Sequence, residues 1–220
     1  MDWRRALRRA SENPGMAFET AVGLARGQYY RLKFRLLGRR VVIGRFFRVK
    51  GTLDIRGPGT VIFGDYCAVT SSKLAPTTPY TYSPDAVIRF GNRVLLTGTR
   101  FGCERSIEVG DGAGLSDARI MDTDFHSIEA SDTPRYNTGG RSKPIVIERN
   151  AWVGAGAMIL KGVRIGESAV VGAGSVVVSR VPAHAVVLGN PARVIWRVAT
   201  ARPQQAVDAT LPVAEAVALS

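Results

Sequence analysis

Residues 147–177 read IERNAWVGAGAMILKGVRIGESAVVGAGSVV, and their spacing indicates the fold. Every sixth position is aliphatic: Ile147, Val153, Ile159, Ile165, Val171 and Val177. Four residues after each of the first five comes a small or β-branched residue: Ala151, Ala157, Val163, Ala169 and Ser175. A helix repeats at about 3.6 residues and a simple strand at about 2, so neither explains this period. Three short strands of about 20 Å, joined by tight corners, would close one coil of a triangular β-helix.

The same period runs through most of the chain and sets the predicted domain bounds. It begins near Ile43 and breaks over 70–86 and again over 122–144. We therefore predict an all-β solenoid, a parallel β-helix over residues 41–197, with loop insertions at 70–86 and 122–144. Interruptions of a solenoid project from one face and often build the binding site. A tail over 198–220 has no periodicity and is expected to be mobile.

The N-terminal segment, residues 1–40, is predicted to be helical and basic. Residues 1–50 contain eleven Arg and two Lys against three acids, a net charge of +10 out of +12 for the whole chain. Helices are expected over 3–10 and 16–37. The second has apolar residues at helical spacing: Phe18, Val22, Ala25, Tyr29, Leu32, Leu36 and Leu37. Such a helix suits either a cap on the open end of the solenoid, which we favour, or peripheral contact with an anionic membrane.

Composition narrows the function classes. No apolar run reaches the roughly 18 residues of a membrane span, and no signal-peptide core follows the basic N-terminus. Two cysteines give no disulfide framework, so we expect a cytoplasmic protein, with contact at the inner membrane as the alternative. Two histidines cannot form a three-histidine zinc site, which excludes a γ-type carbonic anhydrase, and we expect no metal. Nucleic acid is not an expected partner because no recognition motif accompanies the charge.

His126 is the candidate catalytic residue. It lies in Asp122-Thr123-Asp124-Phe125-His126, where a coil passes into the long loop. Imidazole titrates near neutral pH, so it suits a general base that deprotonates an attacking hydroxyl or amine. A carboxylate on the far ring nitrogen would fix its tautomer, and both Asp124 and Asp122 are close enough in sequence. His184, in a turn after the last regular repeat, is expected to be structural.

The segment from Ile145 to Ile195 resembles the C-terminal half of left-handed β-helix acetyltransferases. The most similar groups are the maltose/galactoside acetyltransferases and the acyltransferases of exopolysaccharide and O-antigen clusters. Asp-x-Asp-Phe-His at 122–126 and Asn-Pro-Ala-Arg at 190–193 are typical of them, with a tight match over 120–197 and a loose one from residue 43. Only the resemblance implies the left hand, because parallel crossovers are otherwise right-handed in about 98% of cases. It also implies a homotrimer with acetyl-CoA bound between neighbouring subunits.

The resemblance assigns further residues to the site. His126 matches the family's base, and Trp152 matches a tryptophan that packs on the pantetheine arm. Ala155 and Ala173 match positions whose backbone groups bond to the pantetheine amides. Two basic positions near the nucleotide phosphates correspond to Arg193 and Arg197. Two positions depart from the family: Val178-Ser179-Arg180 replaces a Thr-Lys pair near the adenine, where Arg180 can supply the charge, and Thr97 stands near where an asparagine contacts the acceptor.

Three functions remain open from the sequence. The leading one is acetyl-CoA-dependent O-acetylation of a sugar hydroxyl in surface polysaccharide or lipopolysaccharide biosynthesis, by direct attack on the thioester. The acceptor would be a free, nucleotide-linked or lipid-linked sugar. The second is N-acetylation of a GDP- or UDP-linked amino sugar. The third is a non-catalytic scaffold that binds polyanions through residues 1–50.

Overall fold

The structure, a computed structural model, describes residues 13–127, 132, 134 and 139–197. The predicted helix over 3–10 and the tail over 198–220 lie outside the described residues. Within them, the chain forms one helix, α1 (Pro14–Leu36), followed by short strands. The strands are β1 (Val41–Ile43), β2 (Arg48–Lys50), β3 (Thr60–Phe63), β4 (Ala68–Thr70), β5 (Thr78–Thr81), β6 (Val87–Phe90), β7 (Leu95–Thr97), β8 (Arg100–Cys103), β9 (Ser106–Val109), β10 (Gly114–Ser116), β11 (Arg119–Met121), β12 (Ile145–Ile147), β13 (Trp152–Val153), β14 (Met158–Ile159), β15 (Arg164–Ile165), β16 (Val170–Val171), β17 (Val176–Val177), β18 (Ala185–Gly189) and β19 (Ala192–Arg197).

The strands form the three faces of a prism. Sheet S1 has the order β1-β3-β6-β9-β12-β15, sheet S2 the order β2-β4-β7-β10-β13-β16-β18-β19, and sheet S3 the order β5-β8-β11-β14-β17. Register pairs join Ile147 to Ile165, Val153 to Val171 and Ile159 to Val177, each one coil of 18 residues apart. All six of these side chains are buried, so they stack as columns along the interior. The predicted left-handed parallel β-helix is confirmed.

The period slips near residue 61 because most strands of S1 bury two side chains instead of one. In β3, Val61 and Phe63 both face the interior, in register with Ile88 and Phe90 of β6. The rings of Phe63 and Phe90 stack with centroids 4.7 Å apart. Because S1 is the wider face, the six-residue spacing of inward residues shifts by two residues there. The coil itself continues without interruption.

The first predicted loop insertion, 70–86, is too long. Strand β5 lies inside it, pairs in parallel with β8, and buries Pro79 and Thr81. Because β5 is the edge strand of S3, the missing amide of Pro79 removes no hydrogen bond from the sheet interior. The proline and threonine residues that suggested a loop are those of an edge strand.

Helix α1 covers the first coil, but through a face that the apolar spacing did not indicate. Its buried residues are Gly23, Gly27, Tyr30 and Phe34. Tyr30 accepts a hydrogen bond at its hydroxyl from the Leu53 amide at 3.2 Å. Gly27 lies so close to the first coil that a Cβ would stand 2.0 Å from a carbonyl oxygen. The positions that had indicated a cap are exposed instead: Phe18, Val22, Tyr29, Leu32 and Leu36.

Two edges of the prism matter for the site. The S2/S3 edge consists of the corners at 98–99, 117–118, 154–157 and 172–175. The S3/S1 edge includes those at 82–86, 104–105, 160–163 and 178–180, together with residues 122–127 and 139–144. One side of the prism, about 15–20 Å, separates the two edges.

Candidate functional site

His126 is held at the S3/S1 edge by a short antiparallel stem. The chain leaves the β-helix at Asp122 and returns to it at Lys143, and Thr123 bridges Ser142. The Asp124 amide donates to the Arg141 carbonyl at 3.1 Å, and the Lys143 amide donates to the Asp122 carbonyl at 2.8 Å. The base of the long loop is thus fixed by backbone bonds, and His126 is exposed at its end.

Local backbone geometry turns the His126 side chain outward. Phe125 has φ of 63°, a left-handed conformation that costs a bulky residue free energy. The His126 amide then donates to the Asp124 carbonyl at 2.7 Å. On the returning strand, Gly140 touches this turn, since a Cβ there would stand 2.7 Å from the Phe125 nitrogen and 2.8 Å from the His126 nitrogen. The only sequence signal for Gly140 is the Gly-Gly pair at 139–140, which does not by itself indicate a role beside His126.

The two candidate orienting carboxylates have different partners. Asp122 is fully buried, and its oxygens accept from the amides of Glu104 at 2.7 Å and Arg105 at 2.8 Å. Asp122 therefore links the start of the long loop to the corner at 104–105. Both of its carboxylate oxygens accept a hydrogen bond. Asp124 pairs through Oδ1 with Lys161 Nζ at 2.6 Å.

Asp124 keeps one oxygen available. Its Oδ2 is buried and has no hydrogen-bond partner among the described residues. No hydrogen bond joins the His126 ring to either carboxylate within 13–127 and 139–197. Asp124 is the better candidate to orient His126, because only its carboxylate has an oxygen without a hydrogen-bond partner. Lys161, which the sequence analysis did not single out, anchors that carboxylate to the following coil.

The two thiols are buried and protonated. Burial raises the pKa of Cys67 to about 11. Burial also raises the pKa of Cys103, and the nearby Asp122 carboxylate adds to this effect because a thiolate beside it would be repelled. Neither sulfur has the thiolate character that a covalent acyl intermediate needs.

Two of the residues matched to pantetheine lie on the S2/S3 edge. Ala155 and Ala173 are exposed and occupy equivalent corners of successive coils. The Ala155 carbonyl accepts from the Gly174 amide at 2.8 Å, which joins the corners. Within the described residues, the amides of Ala155 and Ala173 donate to no other group. These amides are thus free to bond to a ligand lying along the edge.

Trp152 lies on the outer face of S2 and is 45% exposed, so it is not a core residue. Its register partner in β10 is Gly114. A Cβ at Gly114 would stand 2.4 Å from the indole Cε3 and Cζ3 atoms, so the ring lies directly over the glycine. Because Gly114 has no side chain, the indole ring of Trp152 can lie directly on the outer face of S2.

The remaining predicted residues are spread over the prism. Thr97 ends β7 beside the S2/S3 edge, and its carbonyl accepts from the Asp117 amide at 2.5 Å. Ser179 and Arg180 are exposed on the S3/S1 edge, the edge of His126. Arg193 and Arg197 are exposed on β19, opposite Leu188 and Ala185. One chain therefore does not bring the base and the predicted acyl-CoA contacts into a single pocket. His184 has φ of 57° and fills a corner of the β-helix.

Among residues 13–127 and 139–197, no group of three or more His, Cys, Asp or Glu side chains is placed to hold a metal ion.

The repeat region of this chain is similar to known sequences. Residues 144–179 match the family model described as bacterial transferase hexapeptide (six repeats). A 2,3,4,5-tetrahydropyridine-2,6-dicarboxylate N-acetyltransferase of Enterococcus faecalis is 58% identical over 55 residues, which are 25% of this chain and 24% of that protein. A putative acetyltransferase of Staphylococcus aureus is 42% identical over 68 residues, 31% of this chain and 34% of that protein. The chain thus spans about a quarter to a third of the length of these curated relatives.

Comparisons with solved structures extend the likeness to most of the fold. AntD, an N-acyltransferase from Bacillus cereus in complex with dTDP and 3-hydroxybutyryl-CoA, aligns with a TM-score of 0.62 and 19% identity over 77% of this chain and 88% of its own. The polySia-specific acetyltransferase NeuO aligns with a TM-score of 0.50 and 25% identity over 76% of this chain and 80% of its own. At 19% identity the first likeness concerns the fold alone. Residues 144–179 are thus similar to the six-repeat model of bacterial hexapeptide transferases, and the described residues share their fold with AntD.

Proposed function

We propose that this protein is an acetyl-CoA-dependent acetyltransferase in which His126 is the general base. The observation that carries the proposal is an exposed imidazole fixed on a two-stranded stem, beside a carboxylate with one unused oxygen. The acetyltransferase names of the relatives matched over the repeat region support the reaction class. The free corner amides of Ala155 and Ala173 suit the amide carbonyls of a pantetheine arm.

The reaction follows from these groups by direct transfer. His126 takes the proton of the acceptor hydroxyl as its oxygen attacks the thioester carbonyl, and a C–O bond forms. The tetrahedral intermediate collapses with cleavage of the C–S bond, and the imidazolium returns the proton to the departing CoA sulfur. Backbone donors at the oxyanion are often worth roughly 3–4 kcal/mol each. Since both thiols are held protonated, no acyl-enzyme is part of this scheme.

The proposed site needs a second copy of the chain. His126 lies on the S3/S1 edge, while Ala155, Ala173 and Thr97 lie on or beside the S2/S3 edge. Because one side of the prism separates these edges, a single acyl-CoA cannot bond to both within one chain. Two parallel prisms set side by side can bring the S3/S1 edge of one against the S2/S3 edge of the next. A homotrimer repeats this contact three times and leaves no site unfilled.

We propose a sugar hydroxyl as the acceptor, in surface polysaccharide biosynthesis. NeuO, which shares the fold at 25% identity, is named for acetylation of polySia. The second candidate is transfer to an amine, because the matched relative from Enterococcus faecalis is an N-acetyltransferase. Matched sugar and amino-sugar acceptors, assayed side by side and as nucleotide-linked forms, distinguish the two.

The decisive test replaces His126 by Ala, with His184→Asn as the control. His184 occupies a left-handed corner far along the chain, and Asn tolerates that conformation. We expect H126A to lower kcat by at least about 100-fold while CoA binding by calorimetry and the particle mass by light scattering stay unchanged. Near-wild-type turnover in H126A would refute the base assignment. A monomeric wild-type particle would refute the shared site.

A further inference from the structure

A groove of about 350 Å³ lies on the outer face of S3, next to the turn that presents His126. Its walls include Tyr80, Tyr82, Arg100, Gly102, Arg119 and Met121. Phe125 closes the end nearest the base, since its ring is 5.0 Å from that of Tyr82 at an interplanar angle of 83°. The groove and His126 are therefore adjoining parts of one surface. Its volume is in the range of small-molecule sites.

Gly102 forms the floor of the groove because it has no side chain that would fill the space. Gly102 lies beneath the converging side chains of Phe125, Tyr82 and Met121, and a Cβ there would stand 3.1 Å from Phe125 Cζ and 3.3 Å from Tyr82 Cε2. The ring of Tyr80 packs against that of Tyr82, with centroids 4.4 Å apart and an interplanar angle of 32°. Aromatic faces of this kind pack against the apolar face of a pyranose ring, and their hydroxyls are available to its oxygens.

Charge distinguishes this groove from a simple aromatic cleft. Arg100 of β8 and Arg119 of β11 are register partners, and both residues are exposed. Their two strands lie about 4.8 Å apart. Neither guanidinium group makes an ion pair or a hydrogen bond among the residues that the structure describes. Arg56, at the far side, is paired with Asp54, and Asp117 lines the adjoining depression with both arginines. Two unpaired guanidinium groups side by side suit a carboxylate or phosphate.

We propose that this groove binds the acceptor and that the acceptor is a sugar carrying an anionic group. The ring would lie on Tyr80 and Tyr82, with the anion on Arg100 and Arg119 and the reacting hydroxyl toward Phe125 and His126. The assignment as an acceptor site rests on the proposed acetyltransferase function. The anion is either a sugar carboxylate or a sugar phosphate, and the assay separates these two sources.

The test compares the double variant R100Q/R119Q with the control R89Q, which removes an exposed charge from S1. The acceptors are glucose, glucuronate and glucose 1-phosphate. We expect the double variant to raise KM for an anionic acceptor at least about 10-fold, with kcat within about 2-fold and KM for acetyl-CoA unchanged. R89Q should behave as wild type. The anionic acceptor that loses its advantage over glucose identifies the group that the arginines bind.

Three outcomes would overturn the subsite: unchanged KM values in R100Q/R119Q, an equal loss for glucose, or a raised KM for acetyl-CoA. Calorimetry with H126A separates this proposal from the catalytic one. If the wild type transfers no acetyl group but H126A still binds glucuronate or glucose 1-phosphate through the arginines, the catalytic proposal fails and the anionic site stands. If H126A binds neither compound, the subsite fails.

A second inference rests independently on α1, whose outward face is apolar. At about 100° per residue, Phe18, Val22, Tyr29, Leu32 and Leu36 form one stripe along the helix. Phe18 is 71% exposed, Leu32 57% and Leu36 76%. The buried residues of α1 lie on the opposite side, so the first coil cannot cover this stripe. Among the residues that the structure describes, no helix is both long and apolar enough to cross a bilayer.

The charges beside the stripe indicate its partner. Arg26, Lys33 and Arg35 are the exposed cations of α1 nearest the stripe in helical position, and the single acid of the helix, Glu19, is paired with Lys50 at 3.0 Å. An apolar stripe flanked by cations is the pattern of a helix that lies in the surface of an anionic membrane. We propose that α1 docks the protein on an anionic lipid surface. In a parallel trimer the three α1 helices would lie at the same end and bind together.

The test is co-flotation with vesicles of phosphatidylcholine, with and without phosphatidylglycerol. We expect the wild type to float with the anionic vesicles only, and L32Q/L36Q to lose at least about 10-fold in bound fraction with unchanged turnover. V42Q, which alters an exposed apolar residue of β1, is the control and should float as wild type. Flotation retained in L32Q/L36Q, or wild-type protein that stays in solution, would overturn the proposal. A changed particle mass in L32Q/L36Q would show that a second copy covers the stripe, and would also overturn it.

Discussion

Replacing Gly140 by Ala tests whether the stem positions the base. A Cβ at 140 would stand 2.7 Å from the Phe125 nitrogen and 2.8 Å from the His126 nitrogen, and both are backbone atoms. Ordinary contact begins near 3.4 Å, so the turn must move by about 0.6–0.7 Å. At the end of the His126 side chain this becomes a displacement of about 1 Å. A misplacement of that size can cost about 100-fold in rate, so we expect kcat to fall about 10- to 100-fold.

The neighbouring glycine supplies a matched control. Among the described residues, no atom lies within 4 Å of a Cβ added at Gly139, and neither glycine has the positive φ that disfavours alanine. G139A should therefore keep wild-type kcat. Release of the CoA thiol measures turnover, calorimetry measures CoA binding, and thermal melting should show similar stability in both variants because the stem lies outside the core. Equal kcat values in G140A and G139A would refute the reasoning that backbone contact at 140 sets the position of His126.

Three further predictions concern the thiols, the core and acid stability. Because burial raises the pKa of Cys103, native protein should react with iodoacetamide far more slowly than unfolded protein, and C103A should keep turnover; rapid native labelling would contradict this. Ile159 is fully buried, so I159A should lower the free energy of unfolding in urea by about 2–5 kcal/mol, whereas V178A, at a half-exposed site, should change it by less than about 1 kcal/mol. The backbone and side-chain hydrogen bonds from Asn92 lower the pKa of Asp111, so its stabilisation should be complete above about pH 4 and lost as the pH falls through the lowered pKa. Urea unfolding from about pH 6 to pH 3 measures this loss, and a D111N variant with the same acid dependence as wild type would refute it.

The fold could be predicted from the sequence wherever the inward residues keep the six-residue spacing. The columns of Ile147, Val153 and Ile159 repeat every 18 residues because each strand pairs with the strand one coil later. The prediction was less accurate where local chemistry departed from that rule. Strand β5 was read as a loop because an edge strand tolerates Pro79. The six-residue spacing slips at β3 because this strand buries both Val61 and Phe63.

The sequence predicts which side chains have suitable chemistry for the site. It does not predict where those side chains lie relative to one another. Imidazole chemistry and the junction at 122 made His126 a candidate without any coordinates. The distinction between Asp122 and Asp124 depends on which amides and which lysine approach them in space. Lys161 has no local signature and Gly140 only its neighbouring glycine, since each acts on a segment from which it is separated in sequence. The same is true of Arg100 and Arg119, which become neighbours only through strand register.

The sequence by itself determined the coil, because a six-residue period can bury its aliphatic positions only by stacking each turn on the next. It also indicated His126, at the second interruption, as the candidate base. Only the tertiary structure decided which side of α1 meets the first coil, because two glycines allow close backbone approach and leave the apolar stripe outside. It also decided that His126 and the free corner amides of Ala155 and Ala173 occupy different edges of the prism. The spacing of residues along the chain determines which of them share a face. Which element packs against that face depends on how closely backbones that are distant in sequence can approach each other.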